Sequence, residues 1–348
     1  SGRYKSVVVN VDDKGNVTGV KDNFTGKDLY TGSKDKPFTT TVLNIEAPEL
    51  GNGALAETNI ITVGEAADKG KKATPIEVWA KTALAYKDKV TSDTVTPVKA
   101  ATPAVTLSGD LRTATAQLDE NGKPVAGEVV RGADQIHLQN VNIHNSFTLD
   151  DKVQMLKNDV NALNKGTEDK VALGQPVNSA TKSELQTKAD ALNGKYDGLK
   201  LTGLNIDTHT VNPSFDLSSG AFVDTPATVA PTAANIILDH VNITLQNDSD
   251  GGLSTAIDLS GTGNHILANG GVFDAGDADN LTQADVLNIS GTNNLIDFNG
   301  SVLKGDIRSS ASGNTVNLTN GSLTGDAISG DGMLGLSLSG STWTGGAG

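Results

Sequence analysis

Three asparagines stand in one repeated frame. Leu138-Gln-Asn-Val-Asn-Ile143, Leu201-Thr-Gly-Leu-Asn-Ile206 and Leu238-Asp-His-Val-Asn-Ile243 each place an amide just before an isoleucine. In a strand, side chains alternate between faces. If the apolar residues point inward, Asn142, Asn205 and Asn242 point outward, and His144, Asp207 and Thr244 follow them two residues on. On adjacent coils these groups would form an outward line with a step of about 4.8 Å. Such a line has the chemistry to hydrogen-bond an extended glycan or peptide. Stacked asparagines also support one another through amide hydrogen bonds, so a ladder and a groove are both expected readings.

A second group is cationic. Lys152, Lys195 and Lys200 fall in or beside a lysine-rich stretch at 148–200. They are expected to add affinity for an anionic glycan. A solvated charged face is the alternative for any single one of them.

Catalytic patterns are missing. The chain has no Gly-Asp-Ser-Gly or Gly-x-Ser-x-Gly for a serine nucleophile and no His-Glu-x-x-His for zinc. Asp274-x-x-Asp277-x-Asp279 and Asp248-x-Asp250-Gly lack the glutamate and spacing of a calcium loop. Histidines 137, 144, 209, 240 and 265 show no ligand spacing. No cofactor, metal site or catalytic residue is expected.

The elements that must carry these residues read as short strands. Leu267-Ala-Asn-Gly-Gly-Val272, Phe298-Asn-Gly-Ser-Val302, Leu318-Thr-Asn-Gly-Ser-Leu323 and Leu338-Ser-Gly-Ser-Thr-Trp343 each join apolar residues through an Asn, Gly or Ser corner. Phe298, Leu318 and Leu338 are 20 residues apart. A fixed short period with two-residue alternation is the mark of a β solenoid. Strands this short bury a face only by lying on the coil before. From Leu138 the anchors Leu201, Leu238, Leu267, Phe298, Leu318 and Leu338 follow at 63, 37, 29, 31, 20 and 20 residues. The excess over 20 is read as material pushed out between coils. The expected fold is an all-β, right-handed parallel β-helix over 1–348, its handedness resting only on the resemblance given below. Residues 1–38 are an N-terminal cap, 66–104, 148–198 and 207–234 are insertions, and 250–348 are regular C-terminal coils.

Within the cap, Val7–Val11 and Val17–Val20 predict a hairpin. Coils are expected to begin near Thr39–Ile45 and continue at Asn59–Val63. Thr74-Pro75 followed by Ile76, Trp79, Ala83 and Tyr86 predicts a helix, with Trp79 and Tyr86 packed on the solenoid wall. Val153, Leu156, Val160 and Leu163 mark a second helix. A third opens on the capping box Thr181-x-x-Glu184 and closes at Asn193-Gly194. These two form a helical hairpin folded over the coils. Asn140, Asn269, Asn299 and Asn320 are expected at left-handed corners.

Composition narrows the class. Cysteine is absent, so neither disulfides nor thiolate sites exist, and no run of 18 apolar residues is present to span a membrane. Beginning at Ser1-Gly2, the chain reads as a processed or recombinant fragment. Charge is uneven. Residues 1–200 are nearly neutral, whereas 201–348 hold Lys304 and Arg308 against 15 aspartates. The acidic half repels nucleic acid and anionic membranes.

Ser301-Val-Leu-Lys-Gly-Asp-Ile307, Ser322-Leu-Thr-Gly-Asp-Ala-Ile328 and Leu334-Gly-Leu-Ser-Leu-Ser-Gly-Ser-Thr-Trp-Thr-Gly345 resemble passengers of AIDA- and pertactin-type autotransporters. The resemblance covers about 250–348. UpaB-type uropathogen adhesins are a candidate closer relative, although no motif singles one out. What the resemblance implies is a secreted right-handed β-helix displayed on the bacterial cell surface by a C-terminal barrel absent from this sequence. It also implies a non-catalytic adhesin for a fibronectin-like matrix protein or a glycosaminoglycan, with weak self-association possible. A polysaccharide lyase or hydrolase on the same scaffold, and a self-associating aggregation passenger, are the alternatives.

Overall fold

The computed structural model describes residues 7–11, 17–22, 43–47, 58–66, 75–81, 95–121, 123–175, 179–330 and 334–348. Its centre is a β solenoid in which most coils contribute one strand to each of three parallel sheets. The first complete coil is β4 (Ile60–Val63), β5 (Ile76–Lys81) and β6 (Val105–Arg112), with β3 (Leu43–Glu46) preceding it. A side hairpin, β7 (Thr115–Leu118) and β8 (Pro124–Arg131), leaves the coil before the next begins. The second coil is β9 (Gln135–Gln139), β10 (Val141–Phe147) and, after two helices, β11 (Lys200–Asp216). The helices are α1 (Leu149–Ala172) and α2 (Ser179–Asn193). β12 (Ala221–Pro226) folds back on the end of β11 as an antiparallel hairpin.

Five further coils follow. They are β13 (Ile236–Asp239), β14 (Asn242–Asn247) and β15 (Gly252–Leu259); β16 (His265–Asn269), β17 (Val272–Asp274) and β18 (Leu281–Ile289); β19 (Leu295–Asn299), β20 (Val302–Lys304) and β21 (Asp306–Ser309). The last are β22 (Asn314–Thr319), β23 (Ser322–Thr324) and β24 (Ala327–Ser329), then β25 (Leu334–Ser339) and β26 (Thr342–Thr344). Sheet one runs β4-β9-β13-β16-β19-β22-β25 and sheet two runs β5-β10-β14-β17-β20-β23-β26. Sheet three runs β3-β6-β11-β15-β18-β21-β24.

The core consists of stacked columns. Val78, Ile143, Ile243, Phe273, Leu303, Leu323 and Trp343 pair coil to coil in sheet two. Leu138, Leu238, Ala268, Phe298, Leu318 and Leu338 do so in sheet one. Leu43, Val105, Leu204, Ile257, Leu287, Ile307 and Ala327 do so in sheet three. Most of these residues are fully buried, each worth about 1.5–3 kcal/mol in transfer terms. The expected 20-residue spacing of Phe298, Leu318 and Leu338 is the register observed. Leu267 is displaced by one place, because Ala268 is the residue that pairs with Phe298.

Corners between sheets one and two need a left-handed residue. Asn140, His240 and Asn320 have φ of 53°, 51° and 52°, and Gly270, Gly300 and Gly340 take the same place. Asn140 and Asn320 are therefore corners as expected. Asn269 and Asn299 end their strands instead, and the following glycines turn. A Cβ on Gly271 would meet the Val241 carbonyl oxygen at 2.2 Å, so that position excludes a side chain.

The structure changes one expectation and adds detail at two further places. The helix predicted after Pro75 is the strand β5, since Val78 and Ala80 are buried and Glu77 and Trp79 are exposed. Ile76 and Trp79 fit a helical period, but Ile-Glu-Val-Trp-Ala also alternates, and pairing with β10 decides for the strand. Ala83 and Tyr86 lie outside the described residues. Second, the first residues of 207–234 continue β11 in sheet three, and the end of β11 then pairs with β12 as a hairpin. Third, α1 opens on a capping box that the sequence reading passed over. Thr148 Oγ1 accepts the Asp151 amide at 3.2 Å, and Asp151 Oδ2 accepts the Thr148 amide at 3.0 Å. The side chain of Thr181 lies outside the described residues.

The helical hairpin packs on the coils as expected. Leu156, Val160, Leu163, Ala189 and Leu192 join Phe147, Tyr196, Leu199 and Leu245 in the common core. The β1 (Val7–Val11) and β2 (Val17–Asp22) hairpin pairs antiparallel and lies beside these helices. The rest of 1–38 is outside the described residues.

Candidate functional site

The outer face of sheet two gathers the most polar chemistry. Asn142 faces Glu77 on one side and Asn242 on the other. Asn242 Nδ2 donates to Asn142 Oδ1 at 2.9 Å, and Asn142 Nδ2 donates to Glu77 Oε1 at 2.9 Å. Asn242 Oδ1 accepts the Val272 amide at 2.8 Å. Every donor in this chain points toward Glu77, so the bonds polarise one another in one direction. The hydrogen bond from Asn142, opposed by partial burial and aided by His144, holds the Glu77 carboxyl below its usual pKa. With Glu77 ionised and able only to accept, His144 carries its proton on Nε2, 2.7 Å from Glu77 Oε2.

One step along the strands runs a second outward column. Trp79, His144, Thr244, Asp274, Lys304, Thr324 and Thr344 occupy successive rungs. The Trp79 indole lies flat on the His144 imidazole, with centroids 4.1 Å apart and planes 11° apart. Trp79 is 44% exposed, which corrects the expectation that it packs on the wall. At the other end the column enters a groove of about 580 Å³. Asp274, Asp277, Asp306 and Asp326 line it beside Lys304, so its charge is negative overall.

Comparison of the chain with protein-family models, with curated proteins and with solved structures gives no match.

Of the residues singled out in the sequence, Asn142, His144, Asn242 and Thr244 come together on sheet two. Asn205 and Asp207 do not. Both lie on β11 in sheet three, where Asn205 pairs with Thr106 and Asp258 and Asp207 pairs with Ser108. The frame Leu-x-x-x-Asn-Ile occurs in both sheets, because each coil strand has the same alternation.

The lysines are spent inside the fold. Lys195 is 1% exposed; its Nζ lies 3.0 Å from Asp159 Oδ1, and the Tyr196 hydroxyl donates to Asp159 Oδ2 at 2.7 Å. Burial pushes the Asp159 carboxyl up, and the nearby Lys195 charge offsets part of that. Lys152 is also 1% exposed and stands 3.9 Å from Asp197. Lys200 is half-buried and donates to Asp258 at 2.7 Å. Lys152 and Lys195 are thus corrected from ligand contacts to packing residues. Lys152 on α1 and Lys195 in the turn after α2 are carried inside where the helices close over the coils, and the charges survive there only with acidic partners.

Sequence reading missed a second asparagine ladder. Asn264, Asn294 and Asn314 are buried where sheet three turns into sheet one. Asn314 Oδ1 accepts the Asn294 amide at 3.0 Å, and Asn294 Oδ1 accepts the Asn264 amide at 2.9 Å. Thr208 Oγ1 donates to Asn264 Oδ1 at 2.9 Å. A signal was present: each Asn stands four residues before a sheet-one anchor, Ala268, Phe298 or Leu318. A second cavity, of about 270 Å³, is lined by Arg112, Asp134, Thr210 and Asn235; Asp134 accepts the Arg112 backbone amide there, and Asn235 donates to Thr210 Oγ1. Among the described residues no cluster of three or more His, Asp or Glu is placed to hold a metal ion.

Proposed function

We propose that this chain is the passenger of a surface-displayed autotransporter adhesin. In this reading it is a right-handed β-helix, carried on a bacterial cell surface by a barrel outside the sequence, and it binds without catalysis. The observation that carries the proposal is the outward column from Trp79 to Thr344. Seven rungs at about 4.8 Å span about 29 Å, enough for several sugar or peptide units laid along the stack. An enclosed cleft suits a small substrate; an open strip of this length suits a polymer or a protein segment.

The placement of the lysines shifts the ligand class. A glycosaminoglycan needs accessible cations, and Lys152, Lys195 and Lys200 are buried or paired. The strip instead carries Glu77, Asp274 and the groove aspartates against one lysine, Lys304. Its chemistry favours a matrix-protein segment or an uncharged glycan over a sulfated one.

A solid-phase assay tests this. The chain is offered immobilised fibronectin, neutral glycans and a sulfated polymer, beside two variants. Thr244→Arg puts bulk on the exposed middle of the strip, and Asp207→Arg does so on sheet three. Saturable binding weakened at least about tenfold by the first change alone is the expected result. Equal binding by both variants would remove the strip from the function.

A further inference from the structure

One buried group of side chains has chemistry that the outer strip does not use. Lys195, Tyr196 and Asp159 are 1%, 1% and 5% exposed. Asp159 sits on α1, and the other two follow α2. Lys195 Nζ donates to Asp159 Oδ1 at 3.0 Å, and the Tyr196 hydroxyl donates to Asp159 Oδ2 at 2.7 Å. The lysine backbone is held on both sides, its amide donating to the Leu192 carbonyl at 3.3 Å and its carbonyl accepting the Val98 amide at 2.8 Å. Phe147, Leu156, Val160, Leu163 and Leu192 are buried in the same interface of helices and coils. The other lysine pairs described above differ. Lys200 meets Asp258 at 2.7 Å but is part-exposed, and Lys152 stands 3.9 Å from a half-exposed Asp197.

We propose that Lys195 and Asp159 condense into an isopeptide bond that ties α1 to the segment after α2, with the Tyr196 hydroxyl as the catalytic donor. A lysine amine in a water-poor site is a strong nucleophile once it gives up its proton. That proton has only to cross the existing hydrogen bond to Asp159 Oδ1. Burial pushes the Asp159 carboxyl up, and the Lys195 charge offsets part of this, so the site lowers the cost of the neutral acid. Lys195 Nζ then attacks Cγ, one bond from the oxygen it already touches, and the electron pair of the C=O bond moves to Oδ2. Tyr196 stabilises that developing oxyanion through its O–H. Nζ passes a second proton to Oδ1, the Cγ–Oδ1 bond breaks, and one water leaves. Ammonium and carboxylate become a neutral amide and water, so atoms and charge balance and no oxidant is needed. Fixed approach supplies the effective concentration that the reaction lacks in water, and closure of the helices over the coils excludes the water that would reverse it. The product links residues 36 apart and replaces two buried charges by an amide.

Intact mass spectrometry of the folded full chain is the experiment. Wild type is expected to weigh one water less than its sequence, and its tryptic digest to contain a branched peptide joining Asp159 to Lys195. Lys195→Arg keeps the charge and should show the full sequence mass. Tyr196→Phe keeps the ring and should slow accumulation of the lighter form after refolding on the order of a hundredfold. The Asp197-Gly198 and Asp250-Gly251 steps lose the same mass if they close to a succinimide, which hydroxylamine opens and an isopeptide bond resists. A wild-type chain at full sequence mass after prolonged incubation overturns the bond. So does a lighter form that hydroxylamine removes or that persists in Lys195→Arg. An unchanged rate in Tyr196→Phe overturns the role given to Tyr196. Lys195→Ala removes ion pair and bond together, so the mass, not the stability, tells the two apart.

Discussion

Asn142 and Asn242 are 100 residues apart in the chain, yet their side-chain amides meet at 2.9 Å on neighbouring rungs of sheet two. The chain between them makes only one turn of the solenoid, because α1, α2 and the hairpin that the end of β11 makes with β12 are looped out of it. Later turns take 30 residues and then 20. Asn242 both donates along the ladder and accepts the Val272 amide. Asn242→Ala and Asn142→Ala are each expected to cost about 1–2 kcal/mol in urea unfolding, since each side chain makes two hydrogen bonds in this half-buried ladder.

The buried ladder is expected to matter more. Asn294→Ala removes the acceptor of the Asn264 amide and leaves that group and the Gly261 carbonyl without their side-chain partner. A loss of about 2–4 kcal/mol is expected from unmet buried groups and lost packing. Asn317→Ala, which breaks a half-buried bond to Asp297, serves as the comparison and should cost under about 1 kcal/mol. Similar midpoints for the two variants would remove the distinction between inner and outer ladders.

Lys195 and Asp159 test whether the helices are latched by a buried ion pair. Lys195→Ala leaves the Asp159 carboxylate buried beside Tyr196 alone, a change of about 3–5 kcal/mol in other buried pairs. Because solenoid stability is local, hydrogen exchange should accelerate in α1 and α2 and leave β19 to β24 unchanged. Uniform acceleration along the chain would show that the helices and coils unfold as one unit.

Asp285 gives a pH signature. Burial is the main cause that pushes its carboxyl up to about 6, with hydrogen bonding and charge from Arg308 acting against it. A carboxyl whose native pKa is raised binds its proton more tightly when folded. Its contribution is therefore fully present below about pH 4 and declines as pH rises through about 6. The span is at most about 3 kcal/mol. Asp285→Asn should flatten the difference between unfolding curves at pH 4 and pH 7 relative to wild type. An identical pH slope in both proteins would remove Asp285 as the source.

Corner geometry can be tested at one glycine. Gly271→Ala drives a methyl group toward the Val241 carbonyl oxygen at a φ of 87°. A loss of more than about 2 kcal/mol is expected, whereas Gly300→Ala, with open space around it, should cost about 1 kcal/mol from backbone strain alone.

Alternation is a local property, and the chain alone was enough to read it. Ile143 and Ile243 point inward and Asn142 and Asn242 outward because a strand's faces alternate every residue, whatever surrounds it. The two 20-residue steps from Phe298 through Leu318 to Leu338 were legible for a related reason: nothing is inserted there, so each step along the chain equals one turn. Which of the three sheets a strand joins was not local. Asn205 stands in the same Leu-x-x-x-Asn-Ile frame as Asn142, but the number of residues looped out before it sets its sheet, and that is decided only when the coils stack. Burial of Lys195 was likewise a matter of packing, since Asp159 reaches it from α1. Trp79 was ambiguous by spacing, fitting both a helix and a strand, until the backbone of β10 offered hydrogen bonds to one of them.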